Sequence, residues 1–327
     1  MRCLGCFKST NSIYCNKCNK MLFGDKRVNP VLDFNKKEFL STKIELSDRM
    51  SISGIQDKIF LKIDNNRLVP TAKGGEYILK PTPLMDYGIL LDDAAKNEHF
   101  TMQLASQVYK IKTAVNGMIQ FKDKQLAYIV KRFDRINGTK VKQEDFASLA
   151  LKSEAKDGKN YKYDYSYEQM ARLIKKYLPA YKIELINFFK IILFNYLIGN
   201  GDAHIKNFSV IQRETKDYTL SPAYDLLSSS LHLPNESRMA LELFEDYETN
   251  SFKANGFYSY NDFIEFANII GLNSAISKKI IQEFISYKDK TLELLNISFL
   301  SDSAKTEYKK LYLDRLKAVS YRYGDGI

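Results

Sequence analysis

The sequence predicts an α+β fold in two lobes, a small β-rich lobe followed by a larger helical one. Three observations carry this. Between residues 59 and 133 short apolar strands alternate with turn signals around a single helical stretch. From about residue 145 apolar residues recur instead at helical spacing. A Gly199-Asn200-Gly201 break then separates the most apolar helix from two short strands.

Each element follows in order. Residues 1–20 carry Arg2, Lys8, Lys17 and Lys20 and no acid. A polar, loop-like stretch covers about 24–50. Ile59 to Ile63 reads as a strand, Asp64-Asn65-Asn66 as a turn, and Glu76 to Lys80 as a second strand ended by Pro81 and Pro83. Asn97 to Tyr109 is helical, with Phe100, Leu104, Ala105 and Val108 on one face. Strands are expected near 114–121 and 126–133. Tyr167 to Leu178 reads as a helix stopped at Pro179. Leu185, Phe188, Phe189, Ile192, Leu193 and Tyr196 make 183–198 a buried helix. Phe208 to Gln212 and Tyr218 to Leu220 read as short strands, and the chain beyond about 240 as helical core and surface.

Composition narrows the function classes. The 327 residues are 45% hydrophobic and 27% charged, too apolar for a disordered chain. Lys+Arg minus Asp+Glu is 49 − 39 = +10, which favours anionic partners without choosing among nucleotides, nucleic acid and acidic proteins. The most apolar stretch is broken by Glu184 and Lys190, so no membrane span or membrane partner is expected. The first six residues lack the apolar region of a secretory signal, and all four cysteines precede residue 19. Both features fit a reducing, cytoplasmic setting.

The sharpest chemical signal is Gly199-Asn200-Gly201-Asp202-Ala203-His204-Ile205-Lys206-Asn207-Phe208. Asp202 precedes Asn207 with four residues between them, the spacing of a protein-kinase catalytic loop. There the Asp accepts the proton of the attacking hydroxyl and the Asn holds Mg²⁺. Asp225 follows Asn207 by 18 residues, where a second metal-binding aspartate would stand. Turn and cap hydrogen bonds are the plainer use of Asn200, Asp202 and Asn207. Ser51-Ile52-Ser53-Gly54-Ile55-Gln56-Asp57-Lys58, just before a strand, can present backbone N–H groups to phosphates, although one glycine is too few for a Walker motif. Lys80 ends an apolar strand and Glu98 opens the next helix, as in a kinase's phosphate-binding Lys–Glu pair.

In this order the segments become recognisable. SISGIQDK, YILKP, NEHFTM, YIVKRFDR, KQEDFASLA, YEQMARL, LIGNGDAHIKNFSV and LSPAYDLLS resemble the HipA family of bacterial toxin kinases over roughly residues 50–230. The chain is short for HipA. With its Ser-Ile-Ser loop it looks more like HipT, the compact toxin of three-gene HipBST-type systems. The resemblance implies a two-lobed, protein-kinase-like fold and ATP with Mg²⁺ as cofactors. It implies Asp202 as the catalytic aspartate, Asn207 and Asp225 on Mg²⁺, and Ser53, Gly54, Ile55, Gln56, Asp57 and Lys58 as the phosphate-covering loop. It places Lys80 on the ATP phosphates and Lys131, Arg132 and Phe133 at an adenine-reading hinge. His204, Ile205, Lys206 and Tyr224 would line the nucleotide site, and Ser51 or Ser53 would be autophosphorylated. Lys131 departs from the acidic hinge residue expected in HipA, which matters little if backbone groups read the base. Arg132 and Asp134 fit a structural ion pair. The implied partners are an aminoacyl-tRNA synthetase as protein substrate, a small helix-turn-helix antitoxin and a third, HipS-like protein. No direct nucleic-acid contact is implied.

Cys3-x2-Cys6 and Cys15-x2-Cys18 stand apart from that resemblance. Two Cys-x2-Cys pairs can surround one Zn²⁺ with four thiolates. The alternative is a frayed basic tail.

The expected organisation is a four-cysteine zinc knuckle at 1–24, a lobe with the phosphate loop and hinge at 25–133, and a helical lobe with the catalytic loop at 134–327. The reading is an ATP-dependent serine/threonine kinase acting on a cytosolic protein. Two alternatives stay open. One is a basic nucleic-acid-binding protein with a zinc knuckle, suggested by Lys159-Asn160-Tyr161-Lys162-Tyr163. The other is a pseudokinase that binds ATP and only regulates.

Overall fold

A short helix, α1 (Asn16–Phe23), closes the cysteine-rich N-terminus, and α2 (Lys36–Ser47) follows. The computed structural model describes residues 1–47, 57–83, 88–136 and 138–324. Helix α2 corrects the expectation of a loop over 24–50. Its start was encoded in Asn35-x-x-Glu38. The Asn35 side chain accepts the N–H groups of Lys37 and Glu38 at 2.9 Å each, and Glu38 accepts the Asn35 N–H at 2.7 Å. This reciprocal cap satisfies donors that a helix start otherwise leaves bare.

Five antiparallel strands form the main sheet: β1 (Ile59–Asp64), β2 (Arg67–Pro70), β3 (Tyr77–Lys80), β4 (Asn116–Gln120) and β5 (Leu126–Lys131). Their order is β2-β1-β3-β5-β4. Asn65 and Asn66 take φ of 46° and 63°, the pair of left-handed residues that a tight β1–β2 hairpin needs. Strand β2 was not foreseen; Arg67-Leu68-Val69-Pro70 is too short and too mixed to show a period. Helix α3 (Ala94–Gln107) lies in sequence between β3 and β4 and packs on β4 and β5, starting three residues before the expected point.

Beyond a small hairpin, β6 (Arg135–Ile136) and β7 (Thr139–Lys140), a three-stranded sheet combines β8 (Gln143–Asp145), β9 (Ser209–Gln212) and β10 (Tyr218–Leu220) in the order β10-β9-β8. Strand β8 is wholly polar, so only its pairing with β9 defines it. Helices α4 (Phe146–Leu149) and α5 (Glu154–Asp157) are short. Helix α6 (Tyr167–Tyr177) opens on a Ser166–Gln169 capping box and ends before Pro179. Helix α7 (Tyr181–Ile198) is apolar around nearly its whole circumference because α6 and α12 cover it. As expected beyond 240, helices follow: α8 (Asn250–Asn255), α9 (Tyr260–Ile269), α10 (Ser274–Ser286), α11 (Lys288–Asn296) and α12 (Asp302–Ser320). Helix α12 returns to the main sheet's helix. Tyr308 Oη lies 3.1 Å from Thr101 Oγ1, and Tyr312 Oη 3.0 Å from Tyr109 Oη. Among the described residues no helix is long and apolar enough to cross a membrane.

Candidate active site

Two backbone turns build the site. Helix α7 stops at Gly199, whose φ of 66° is the left-handed geometry of a helix end. The loop that follows is pinned from several sides. Asn200 Nδ2 donates to Asn195 Oδ1 at 2.9 Å, and the Asp202 N–H donates to Asn200 Oδ1 at 3.2 Å. The Gly201 N–H donates to Ser229 Oγ at 2.7 Å, and Tyr167 Oη donates to the Ala203 carbonyl at 2.9 Å. A Cβ on Gly201 would lie 2.6 Å from the Ser237 carbonyl oxygen, so only glycine fits there.

Asp202 emerges from this frame with its side chain 45% exposed. Its carboxylate accepts the Tyr163 hydroxyl and lies 3.9 Å from His204 Nε2. Asn207 Nδ2 donates to the Asp202 carbonyl at 3.1 Å. That commits the amide nitrogen and leaves the amide oxygen for a cation. Lys206 Nζ bonds Asp145, which also caps α4, and the Lys206 carbonyl accepts the Tyr224 hydroxyl at 2.9 Å. Ile205 is fully buried in the core.

The second turn carries Asp225, a non-glycine residue at φ 54°. Such a conformation costs energy and persists only where the surroundings enforce it. The side chain is anchored by Lys80. Its Nζ, at the end of β3, donates to Asp225 Oδ1 at 2.6 Å and to Glu98 Oε1 at 2.7 Å. Burial alone would strip the Lys80 proton, but the two carboxylates overcome it and hold the ammonium above its ordinary range. Burial would likewise raise Asp225, yet Lys80, Lys58 and His204 hold its carboxyl below the ordinary carboxylate range. Glu98 goes the other way: burial pushes its carboxyl up to about 7 despite Lys80. Lys58 lies close enough to Asp225, Lys80 and Glu98 to feel all three charges. Asp57 pairs instead with Lys43 on α2.

Ser51, Ser53, Gly54, Ile55 and Gln56 lie outside the described residues. At the expected hinge the Lys131 N–H is bonded to the Val115 carbonyl and the Arg132 N–H to the Glu76 carbonyl. Both of these N–H groups are therefore engaged within the sheet. The Arg132 guanidinium grips both oxygens of Asp134 at 2.9 and 2.7 Å, the structural pair expected. The Phe133 and Tyr224 rings lie 5.6 Å apart.

Sequence reasoning missed Tyr163, Asn97 and Glu236. Tyr163 sits in the basic-aromatic run read as a nucleic-acid candidate, where nothing local points to Asp202. Asn97 donates to the Ser228 carbonyl at 2.9 Å and to His232 Nε2 at 3.0 Å, joining α3 to the segment after Asp225. Glu236 accepts from Ser229, Ser230 and the Gly201 N–H beneath the catalytic-type loop. Away from this site, the Cys3, Cys6, Cys15 and Cys18 sulfurs all lie within 4.8 Å of one another, a cluster able to bind a metal.

Buried His204 Nδ1 and Glu98 Oε2 have no partner among the described residues, which marks the site as incomplete in polar terms. Asp225 and Asn207 carry hard oxygen donors of the kind Mg²⁺ takes, and Lys58 and Lys80 place positive charge beside Asp225.

Comparison with known proteins agrees with this geometry. The HipA-like C-terminal domain profile matches residues 50–291, some 60 residues beyond the segments that carry the sequence resemblance. A Haemophilus influenzae protein carrying the name "Putative kinase" is 33% identical over 312 residues, covering 90% of this chain and 89% of its own. Shewanella oneidensis HipA, solved in complex with HipB and operator DNA, superposes with a TM-score of 0.65 at 21% identity, over 87% of this chain and 71% of its own. The Helicobacter pylori proinflammatory kinase CtkA superposes with a TM-score of 0.54 at 16% identity, over 83% of this chain and 91% of its own. The two structures share a mixed α/β, kinase-like fold with this protein. Profile and sequence identity together establish that the chain belongs to the HipA-like C-terminal domain family.

Proposed function

We propose that the chain is an ATP-dependent serine/threonine protein kinase. The observation that carries this is the Lys80–Glu98–Asp225 cluster, whose Asp225 lines one cavity with Asn207 of the loop that bears Asp202. Lys80 and Lys58 would bind the nucleotide's phosphates, and Phe133 with the hinge carbonyls its base. Asn207 and Asp225 are the residues that would hold Mg²⁺, which when bound neutralises charge on the transferring phosphoryl group. Asp202, kept in place by Tyr163, would orient a serine hydroxyl of the protein substrate and take its proton. The serine oxygen gains the phosphorus, ADP leaves with the electrons of the broken P–O bond, and the proton passes from Asp202 to water.

The finer reading follows the family. The chain would be a HipT-like toxin of a toxin–antitoxin system acting in the cytoplasm, with an aminoacyl-tRNA synthetase as substrate. It would phosphorylate its own Ser51 or Ser53 as a brake. The HipA neighbour in complex with HipB supports a small antitoxin partner, and a HipS-like third protein would complete the set. The proposed boundaries are 1–24, 25–133 and 134–327. Thermal-shift measurements test the central reading. Stabilisation by ATP with Mg²⁺, and none by oligonucleotide, supports it; the reverse pattern rejects it. Phosphoproteomics after induction would identify the substrate.

A further inference from the structure

We infer that Cys3, Cys6, Cys15 and Cys18 bind one Zn²⁺, and that this metal knuckle is the brace that holds helix α3, and with it Glu98, against the sheet. The sulfurs all lie within 4.8 Å of one another, a spacing that one tetrahedral metal can span. At a Zn–S length of about 2.3 Å, two sulfurs on one metal stand about 3.8 Å apart. The Cys6 and Cys15 sulfurs, which bridge the two pairs, are 3.8 Å apart. The Gly5 and Cys15 N–H groups both point at Cys3 Sγ, at 3.3 and 3.2 Å, which suits a sulfur carrying negative charge. Gly5 is needed for closure, because a Cβ there would lie 2.6 Å from Cys18 Cβ and 2.7 Å from Cys18 Sγ. Four thiolates around Zn²⁺ leave a net charge of about −2. Arg2, Lys8, Lys17 and Lys20, with no acid among residues 1–20, supply the opposite sign. Each thiol bound gives its proton to solvent, and no oxidant is required.

The knuckle's carbonyls and rings are spent on α3 and the sheet. The Gly5 carbonyl is 3.1 Å from His99 Nε2, and the Cys6 carbonyl accepts Gln107 Nε2 at 3.3 Å. Phe7, held at φ 66° just after Cys6, packs its ring 4.8 Å from His99 and 6.5 Å from Phe100. A bulky residue in that conformation is a strained outlier that needs a rigid frame. Tyr14 bonds the Met118 carbonyl, and the Met118 N–H bonds the Leu4 carbonyl at 2.8 Å, so the knuckle covers the β4 edge. Three consecutive residues of α3 thus serve three attachments. Asn97 holds the segment after Asp225, Glu98 holds Lys80, and His99 holds the knuckle.

The test uses the full chain. Elemental analysis of protein purified without added metal should find about one zinc per chain, and a Cys15→Ser/Cys18→Ser variant almost none. An organomercurial should release that zinc from the wild type. Amide exchange in residues 94–107 should then speed up at least about tenfold, while residues 274–286 change little. His99→Ala should keep its zinc and still show faster exchange in 94–107, which separates the brace from the metal and does not require the cysteine variant to fold. A zinc-free wild type, iron in place of zinc, or unchanged exchange in α3 after zinc release would overturn the inference. Weaker ATP binding after zinc release is also expected. That consequence rests on the kinase reading, whereas zinc content and exchange do not, so the two can fail separately.

Discussion

Lys80 donates to Asp225 at 2.6 Å although 145 residues of chain separate them. That single contact joins the end of a sheet strand to the turn after the catalytic-type loop. It does so with an ammonium that is 7% exposed and a carboxylate that is 38% exposed. Glu98 shares the same ammonium from the buried side. Asp225 thus meets solvent, whereas Glu98 is enclosed.

Lys80→Met is expected to destabilise the fold by about 2 kcal/mol, because Glu98 loses its buried partner and must take up a proton in the interior. Adding Glu98→Gln should restore part of that loss, while phosphoryl transfer stays absent in both variants. Urea unfolding of the wild type, both single variants and the double variant measures the coupling.

Tyr163→Phe removes the one hydroxyl that, among the described residues, donates to the Asp202 carboxylate. A hydrogen bond of this kind contributes about 1 kcal/mol net, so kcat should fall roughly fivefold to tenfold. The KM for ATP should stay unchanged, because Tyr163 touches the catalytic-type loop and not the Lys80 cluster. Steady-state kinetics over ATP concentration separates the two parameters.

All three histidines are buried, and burial lowers the pKa of each. His232 shows why protonation is resisted. Asn97 donates to its Nε2, and its Nδ1 faces the Ile89 carbonyl at 3.0 Å. A second ring proton would meet the Asn97 amide. A folded-state pKa below the unfolded value of about 6.5 means the unfolded chain takes up the proton first. The histidines' share of stability should therefore fall as pH drops below about 6.5, by up to about 1.4 kcal/mol per pH unit per histidine, offset in part by Glu98, whose raised carboxyl takes up its proton first in the folded chain. His232→Gln should be less stable at neutral pH and lose one histidine's share of the slope, measured by urea unfolding between pH 7.5 and 5.

Much of the site was legible because its residues are charged and stand at fixed distances beside apolar elements. Lys80 ends an apolar strand, Glu98 enters a helix, and Asp202, Asn207 and Asp225 follow a helix with no polar face. The cysteine pairs were legible for the same reason, by spacing alone. What escaped notice depends on tertiary contact. Tyr163 reaches Asp202 across 39 residues. Strand β8 exists only through its pairing with β9. The start of α2 was written locally, in Asn35 and Glu38, but its apolar face is too weak to show a helical period. That Phe7 and His99 would fasten the cysteine knuckle to the Glu98 helix had no sequence signal, since packing of two buried rings leaves no spacing to read.

The central claim is that Asp202 does the chemistry while Lys80 and Asp225 hold the nucleotide. It is tested most directly by measuring Mg²⁺–ATP affinity and phosphoryl transfer side by side in the wild type, Asp202→Ala and Asp225→Ala. The account predicts that Asp202→Ala binds Mg²⁺–ATP within about twofold of the wild type and loses phosphoryl transfer by about 10³-fold or more. Asp225→Ala should lose both binding and transfer. Asp202→Ala turning over a protein substrate at near wild-type rate would contradict it.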